Sequence, residues 1–312
     1  MRILLTGAKG FVGRHLTLAL ASRFPEADLF PVGTTPPEGA DIADAGAVDA
    51  LVKRVQPTHL VHLAAIASVP EAEADPRRAF AVNQGGPLNL CLTLLSRAPA
   101  CRLLLISSSE VYGRSFNARQ PLAETAPLLP SNVYAASKAA GEMAALGLVD
   151  RGLRMLIVRP FSHTGPGQST RFALPAFAAQ IVAAERGEQE PVIRTGRLDA
   201  VRDFMDVRDV VAAYALLLER FDAIPSGTAI NVATGTGRTI EDLLAILLGL
   251  ARIPVRPEID PTKVRPHDVP WTVGDAARAR ALLDWAPTIP IERTLADLLD
   301  TARSGSGHWA SK

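Results

Sequence analysis

A phenol and an ammonium stand four residues apart in Tyr134-Ala135-Ala136-Ser137-Lys138. On a helix this spacing brings both side chains to one face. There the cation is expected to favour the phenolate and draw the tyrosine pKa down from about 10, making a group that can give or take a proton at a reacting oxygen. The chain has 3 tyrosines, and arginine supplies most of its 33 basic residues. A lysine here therefore suggests a need for a compact ammonium rather than a guanidinium fork; the alternative is a surface helix pair without chemistry. Upstream, Ser107-Ser108-Ser109-Glu110-Val111-Tyr112-Gly113 offers three hydroxyls that could hold a substrate oxygen, and chemistry alone does not choose among them.

A second cluster suggests what such a proton relay would serve. Gly7, Gly10 and Gly13 follow the first apolar run and open an amphipathic pattern. Gly7 permits a tight turn, Gly10 lets backbone approach a pyrophosphate, and Gly13 lets a helix lie close on its strand. Phe11 and Val12 begin that helix, whose free N–H groups and partial positive charge suit phosphate. The spacing departs from the ordinary G-x-G-x-x-G fingerprint, and a ligand-free glycine turn is the plain alternative. In dinucleotide sites an acid ending the second strand takes the ribose hydroxyls. Here Val32-Gly33-Thr34-Thr35 has no acid and no neighbouring basic residue, so nothing repels the phosphorylated cofactor; NADP and NAD both stay open.

These residues need elements to position them. Short apolar runs at 2–6, 29–32, 59–63, 102–107 and 153–158 predict strands. They alternate with helical patterns at 11–23, 45–55, 76–97 and 134–148. This rhythm predicts an α/β fold, a Rossmann-type doubly wound parallel sheet, with ligands beyond the carboxyl ends of the strands. The informative residues fall just after predicted strands. Beyond Pro160 the texture turns to Gly, Pro and Arg with helices predicted at 173–186, 207–220 and 240–251. The reading is a dinucleotide-binding domain over 1–160, a smaller substrate-binding lobe over 161–303 interleaved with the last sheet strands, and a flexible tail over 304–312.

Composition narrows the function. With 33 basic against 32 acidic residues and a net charge of +1, no field of one sign draws in nucleic acid or an anionic membrane, so phosphate must be gripped locally. The first apolar run is too short for a signal peptide, and no stretch approaches the roughly 20 apolar residues of a bilayer span. Cys91 and Cys101 are too few for a disulfide framework or a zinc site, which fits a reducing cytoplasm. The 6 histidines form no metal constellation; His59 and His62 read as core or strand-end residues.

Thr6 to Gly13, Leu63-Ala64-Ala65, Ser108 to Gly113 and Tyr134 to Lys138 together resemble the extended short-chain dehydrogenase/reductases that modify nucleotide sugars. In the second half, Arg159-Pro160-Phe161-Ser162-His163-Thr164-Gly165-Pro166-Gly167-Gln168, Val201-Arg202-Asp203-Phe204-Met205-Asp206-Val207-Arg208-Asp209-Val210 and Val264-Arg265-Pro266 resemble the GDP-6-deoxy-4-keto-D-mannose reductase branch of that family, which makes GDP-D-rhamnose. The resemblance spans residues 1–303 and implies NAD(P)H-dependent reduction of a C4 ketone.

By that resemblance Ser108 takes the catalytic serine position beside Tyr134 and Lys138. Asn83 orders the central strands near the nicotinamide, and Asp41-Ile42 is placed like the pair that holds the adenine, though Asp41 could equally cap its turn. Leu63, Ala64, Ala65, Phe161 and His163 border the cofactor, and His163 could instead pin its loop. Ser109, Glu110 and Ser162 fall in the sugar site; Arg202 and Arg265 are candidates for the diphosphate or base, and Asp268 for a hydroxyl. Ser162 replaces the asparagine usual in the branch. Glu110 occupies the position of a base in GDP-mannose 4,6-dehydratases, which keeps a dehydratase or epimerase in play; a cofactor-binding scaffold without turnover is the other alternative. Apolar positions on the two long helices suit a homodimer or core packing equally.

Overall fold

A computed structural model describes residues 1–34, 39–264 and 269–305. The first half alternates as the apolar runs predict: β1 (Arg2–Thr6), α1 (Phe11–Arg23), β2 (Asp28–Val32), α2 (Ala45–Val55), β3 (His59–His62), α3 (Val69–Ala74), α4 (Pro76–Phe80), α5 (Gly86–Arg97), β4 (Arg102–Ile106), α6 (Val133–Leu146) and β5 (Arg154–Pro160). The second half adds β6 (Ser162–Thr164), α7 (Ala173–Glu185), β7 (Val192–Thr195), β8 (Val201–Arg202), β9 (Phe204–Asp206), α8 (Val207–Glu219), β10 (Ala229–Val232), β11 (Arg238–Thr239), α9 (Ile240–Gly249), β12 (Arg256–Ile259), β13 (Trp271–Thr272), α10 (Ala277–Leu283) and α11 (Ile291–Ser304).

Among the described residues the main sheet has 6 strands in the order β10-β5-β4-β3-β1-β2, all parallel. The strand order reverses between β1 and β3, the switch point where ligands of open parallel sheets bind. Both faces are covered because successive side chains of β1 point opposite ways. Ile3 and Leu5 join Leu16 and Leu20 of α1 and Val210 and Leu217 of α8. Leu4 joins Val48 and Leu51 of α2 and Leu90 of α5. A third core, built from Leu174 and Ile181 of α7, Leu243 and Leu247 of α9 and Leu295 and Leu299 of α11, belongs to the remainder of the chain. Thus α8 and β10, although late in sequence, return to the main sheet.

One expectation fails. The pattern over 76–97 predicts a single helix, but a turn of π-helix at Ala81–Gly85 separates α4 from α5. Pro87 explains it: without an N–H it cannot bond the carbonyl four residues back, that of Asn83. α11 also reaches Ser304, one residue into the segment read as tail.

The turn after β1 is held by backbone proximity. A β-carbon at Gly13 would collide with the Gly7 carbonyl, so Gly13→Ala is expected to cost about 1–3 kcal/mol of stability. Urea unfolding measures this, and an unchanged midpoint would show that the turn has slack.

Candidate active site

The segments predicted to hold a dinucleotide converge at the switch point. Gly7 has φ 74°, and a β-carbon there would lie 2.7 Å from the Ala64 nitrogen. The loop after β3 is fastened to the same place, with Leu63 N donating to Thr6 O at 3.2 Å. Gly10 caps α1 with φ −73° and ψ 174° and has no side chain to satisfy the first-turn N–H groups. Phe11 stacks on His163, centroids 6.3 Å apart and planes within 7°, so the loop after β5 meets the start of α1. His163 does pin its loop, its Nδ1 lying 2.9 Å from Phe161 O; burial, opposed by that carbonyl, lowers its pKa. The Phe161 ring is buried against Tyr112 and Phe116, and its backbone N–H donates to Val232 O at 2.9 Å.

Asp41 both caps and pairs. One carboxylate oxygen accepts from Ala43 N at 3.0 Å and the other from Arg78 at 2.8 Å. Partial burial raises its pKa, but these two partners outweigh it and hold the carboxyl low. Ile42 is buried, its Cδ1 2.6 Å from where Gly86 would carry a β-carbon.

The helix carrying the proton-transfer pair is capped by Asn132, which accepts from Ala135 N, and is locked from the side by Asn83. The Asn83 amide accepts from Ile66 N at 2.9 Å and donates to Ile66 O and Ser137 Oγ, both at 3.0 Å. Ser137 Oγ in turn donates to Tyr134 O at 2.8 Å. Where α6 crosses the π-turn, a β-carbon at Gly141 would collide with Asn83 O.

Tyr134, Lys138 and Ser108 are all buried. Burial pushes the Tyr134 phenol up to about 12; a hydrogen bond with Ser108 opposes this and the Glu110 charge adds to it. The expected lowering by Lys138 therefore does not occur. The ammonium donates to Ile106 O at 2.6 Å, and desolvation dominates at the phenol. Burial also pulls Lys138 down to about 8, against the charge of Glu142. Of the three serines, Ser108 is the one whose side chain acts on the phenol, opposing its rise. Its Oγ also accepts from Glu110 N at 3.2 Å, while Ser107 Oγ is buried without a partner.

Comparisons with known proteins place the chain in a family. Residues 3–233 match the model of the NAD dependent epimerase/dehydratase family. The chain belongs to that family. It is 35% identical over 299 residues to GDP-6-deoxy-D-mannose reductase of Pseudomonas aeruginosa, covering 96% of each chain. It is 28% identical over 280 residues to GDP-6-deoxy-D-talose 4-dehydrogenase of Aggregatibacter actinomycetemcomitans, covering 89% of this chain and 90% of that one. Its fold resembles the solved structure of RMD from Pseudomonas aeruginosa complexed with NADPH, with a TM-score of 0.87, 33% identity and coverage of 98% of this chain and 100% of that one.

The epimerase/dehydratase match takes in the glycine turn, Ser108, Tyr134 and Lys138, and ends one residue past β10. Beyond these, reasoning from sequence missed a polar network behind α6. Arg159 and Glu142 form a buried ion pair at 2.7 Å. Arg159 also donates to Tyr112 OH at 3.0 Å, whose hydroxyl donates to Asn231 of β10 at 2.7 Å. The available signal was an acid four residues past Lys138 and an arginine ending an otherwise apolar strand. His62 is buried with Nδ1 2.7 Å from Thr6 Oγ1, and burial, then the Lys138 charge, pull it down to about 3, so it stays neutral.

The sugar-site candidates are less gathered. Glu110 accepts a long hydrogen bond from Asn132 Nδ2 at 3.4 Å, and Ser109 is buried in the turn after β4. Ser162 pairs with Phe204 in the β6–β9 ladder, two residues from Arg202, whose Nη1 donates to Val201 O at 2.9 Å. Arg265 and Asp268 lie outside the described residues. Among the described residues no cluster of His, Cys, Asp and Glu could hold a metal, and no helix is long and apolar enough to cross a membrane.

Lys138 supplies a pH test on the protein alone. Between its folded value of about 8 and the ordinary lysine value of 10.5, the unfolded chain binds more protons at this site than the native one. Its contribution to stability therefore improves as pH rises through that window and is lost as pH falls toward 8. NMR of isotope-labelled lysines should show one resonance titrating near pH 8 that vanishes in Lys138→Met; titration at the ordinary value would remove the desolvated site.

Proposed function

We propose that this enzyme reduces the C4 ketone of a nucleotide-diphospho-4-keto-6-deoxy sugar, GDP-4-keto-6-deoxy-D-mannose to GDP-D-rhamnose, at the expense of NADPH or NADH. The observation that carries this reading is Tyr134, a buried phenol kept protonated beside Ser108, on a helix locked to the loop after β3. The full-length similarity to a GDP-6-deoxy-D-mannose reductase supports the choice of sugar nucleotide.

The turn fits a dinucleotide because the N-terminus of α1 has no side-chain cap and its N–H groups suit a pyrophosphate. Gly7, Gly10, Phe11, Val12 and Gly13 would hold that pyrophosphate, with Asp41, Ile42, Leu63, Ala64 and Ala65 on the adenosine side. Tyr134, Lys138, His163 and the backbone of Phe161 would flank the nicotinamide, with Asn83 acting through α6. When bound, the nicotinamide supplies the hydride.

Ser108 polarises the ketone oxygen and Tyr134 gives that oxygen its proton as charge develops there. A phenol raised to about 12 is loaded with its proton at neutral pH, and an alkoxide is a stronger base than the phenolate left behind, so the transfer runs downhill. The phenolate recovers its proton from solvent. Arg202 and Arg265 would fork onto the diphosphate, Asp268 would take a hydroxyl, and Ser109, Glu110 and Ser162 would surround the sugar.

The Glu110 charge beside Tyr134 favours one second reading, a 4,6-dehydratase or epimerase that returns its hydride. We assign cofactor binding to residues 1–160 and sugar-nucleotide binding to 161–303. Two copies pair through α5 and α6, where Leu92 and Met143 are 43% and 60% exposed. Two free, buried cysteines suit a reducing cytoplasm.

Supplied with GDP-4-keto-6-deoxy-D-mannose, the enzyme should oxidise one NAD(P)H for each product formed, read from nicotinamide absorbance. Product without net oxidation would reject reduction in favour of the recycling reading. Tyr134→Phe should lower kcat by at least about 100-fold and leave dinucleotide affinity nearly unchanged; near-normal turnover would remove the phenol from its role.

A further inference from the structure

Asp203 is a carboxylate with no part in the proposed reduction, and it lies where the small β11-β8-β13 sheet meets the main one. It directly follows β8, the middle strand of that small sheet, and it is fully buried. Four uncharged donors converge on it. One oxygen accepts from Thr234 N at 2.9 Å and Thr234 Oγ1 at 2.6 Å, and the other from Gly235 N at 3.0 Å and Gly274 N at 3.2 Å. Burial raises the pKa of this carboxyl, and the four donors offset part of the rise. Because these partners all donate, they suit the ionised, acceptor-only form. Burying a carboxylate is costly even when it is hydrogen-bonded; what this one supplies is a joint between segments far apart in sequence.

The segments joined belong to both sides of the cleft. Thr234 and Gly235 lie in the turn that leaves β10, which pairs with β5 at the edge of the main sheet. Gly274 follows β13, and a β-carbon there would sit 2.6 Å from the Phe161 ring, so this partner rests on a residue two positions before His163. On its other side Asp203 N donates to Thr272 O at 3.0 Å. Arg202, the last residue of β8, is paired with Thr272 and Arg238 in the same ladder. The carboxylate therefore fastens the end of β8 to the segments packed around Phe161. We infer that Asp203 is a positioning residue for sugar-nucleotide binding: it sets where Arg202 stands relative to the loop of Phe161 and His163, and so lets the guanidinium reach the diphosphate. The role rests on the proposed reading of Arg202 as a diphosphate ligand and adds how that arginine is held.

Calorimetric titration of the full chain with GDP and with NADPH tests this without turnover. Asp203→Asn keeps the side chain's shape, but in either orientation its NH2 group faces at least one backbone N–H. It should weaken GDP roughly tenfold, the scale of one misplaced charge-assisted contact. NADPH affinity should stay nearly unchanged, which also shows that the variant is folded. Arg202→Ala should weaken GDP by a similar factor. The double variant should lose little more than either single one, a non-additivity that a general loss of structure does not produce. Thr234→Val removes one donor and carries the test if Asp203→Asn does not fold; it should weaken GDP about threefold and spare NADPH. Unchanged GDP affinity in Asp203→Asn, or in Thr234→Val if only that variant folds, would overturn the role of Asp203. Equal weakening of GDP and NADPH, or additive losses in the double variant, would do the same. Failure of wild type to bind GDP, or unaltered affinity in Arg202→Ala, would instead overturn the reading of Arg202 as a diphosphate ligand, and the role of Asp203 with it.

Discussion

Burying a phenol and an ammonium together beyond the ends of parallel strands is the constraint around which this molecule is arranged. Desolvation raises the phenol and depresses the ammonium, so both groups are pushed toward their neutral forms. For a group proposed to deliver a proton, this is a usable state. The phenol stays loaded at neutral pH, and Ser108 opposes only part of the rise. The ammonium has a backbone carbonyl to donate to and a carboxylate one helical turn on. A charged lysine in such a place without those groups would carry a penalty of several kcal/mol.

The second requirement is that α6 sit close to the strand ends, and here backbone does most of the positioning. Gly141 lets α6 lie against the π-turn, and Pro87 frees the Asn83 carbonyl that faces it. The Asn83 side chain then joins the loop after β3 to Ser137, which holds the Tyr134 carbonyl. π-turns inside helices often mark functional sites. In this one a helix irregularity orients the amide that links the loop after β3 to α6.

Behind α6, the Arg159–Glu142 pair extends through Tyr112 to Asn231. Asn231 is fully buried; its amide donates to Leu122 O and its backbone N–H to Glu124. The network thus connects the catalytic helix with β5, β10 and the loop between Leu122 and Glu124, elements far apart in sequence. A buried ion pair is weak evidence for stability, since desolvation offsets its attraction. Its position fits a role in holding α6 in register with the last sheet strands.

The amino-acid sequence alone determined the strand-helix alternation, because apolar periods of two and of three to four residues are local properties of the chain. Most predicted boundaries fall within two residues of the observed ones. The three glycines and the Tyr134/Lys138 spacing were equally legible, since each meaning depends on a few neighbouring residues. The helix Ile291–Ser304 had an apolar stripe at Ile291, Leu295, Leu298 and Leu299 but was not singled out. Tertiary structure decided the sign of the phenol's shift, because desolvation depends on what surrounds a group and not on the lysine four residues away. It also decided which of three serines acts on Tyr134, and it carried Thr234 and Gly274 to Asp203. These outcomes come from segments brought together across the sheet, and spacing along one segment does not encode them.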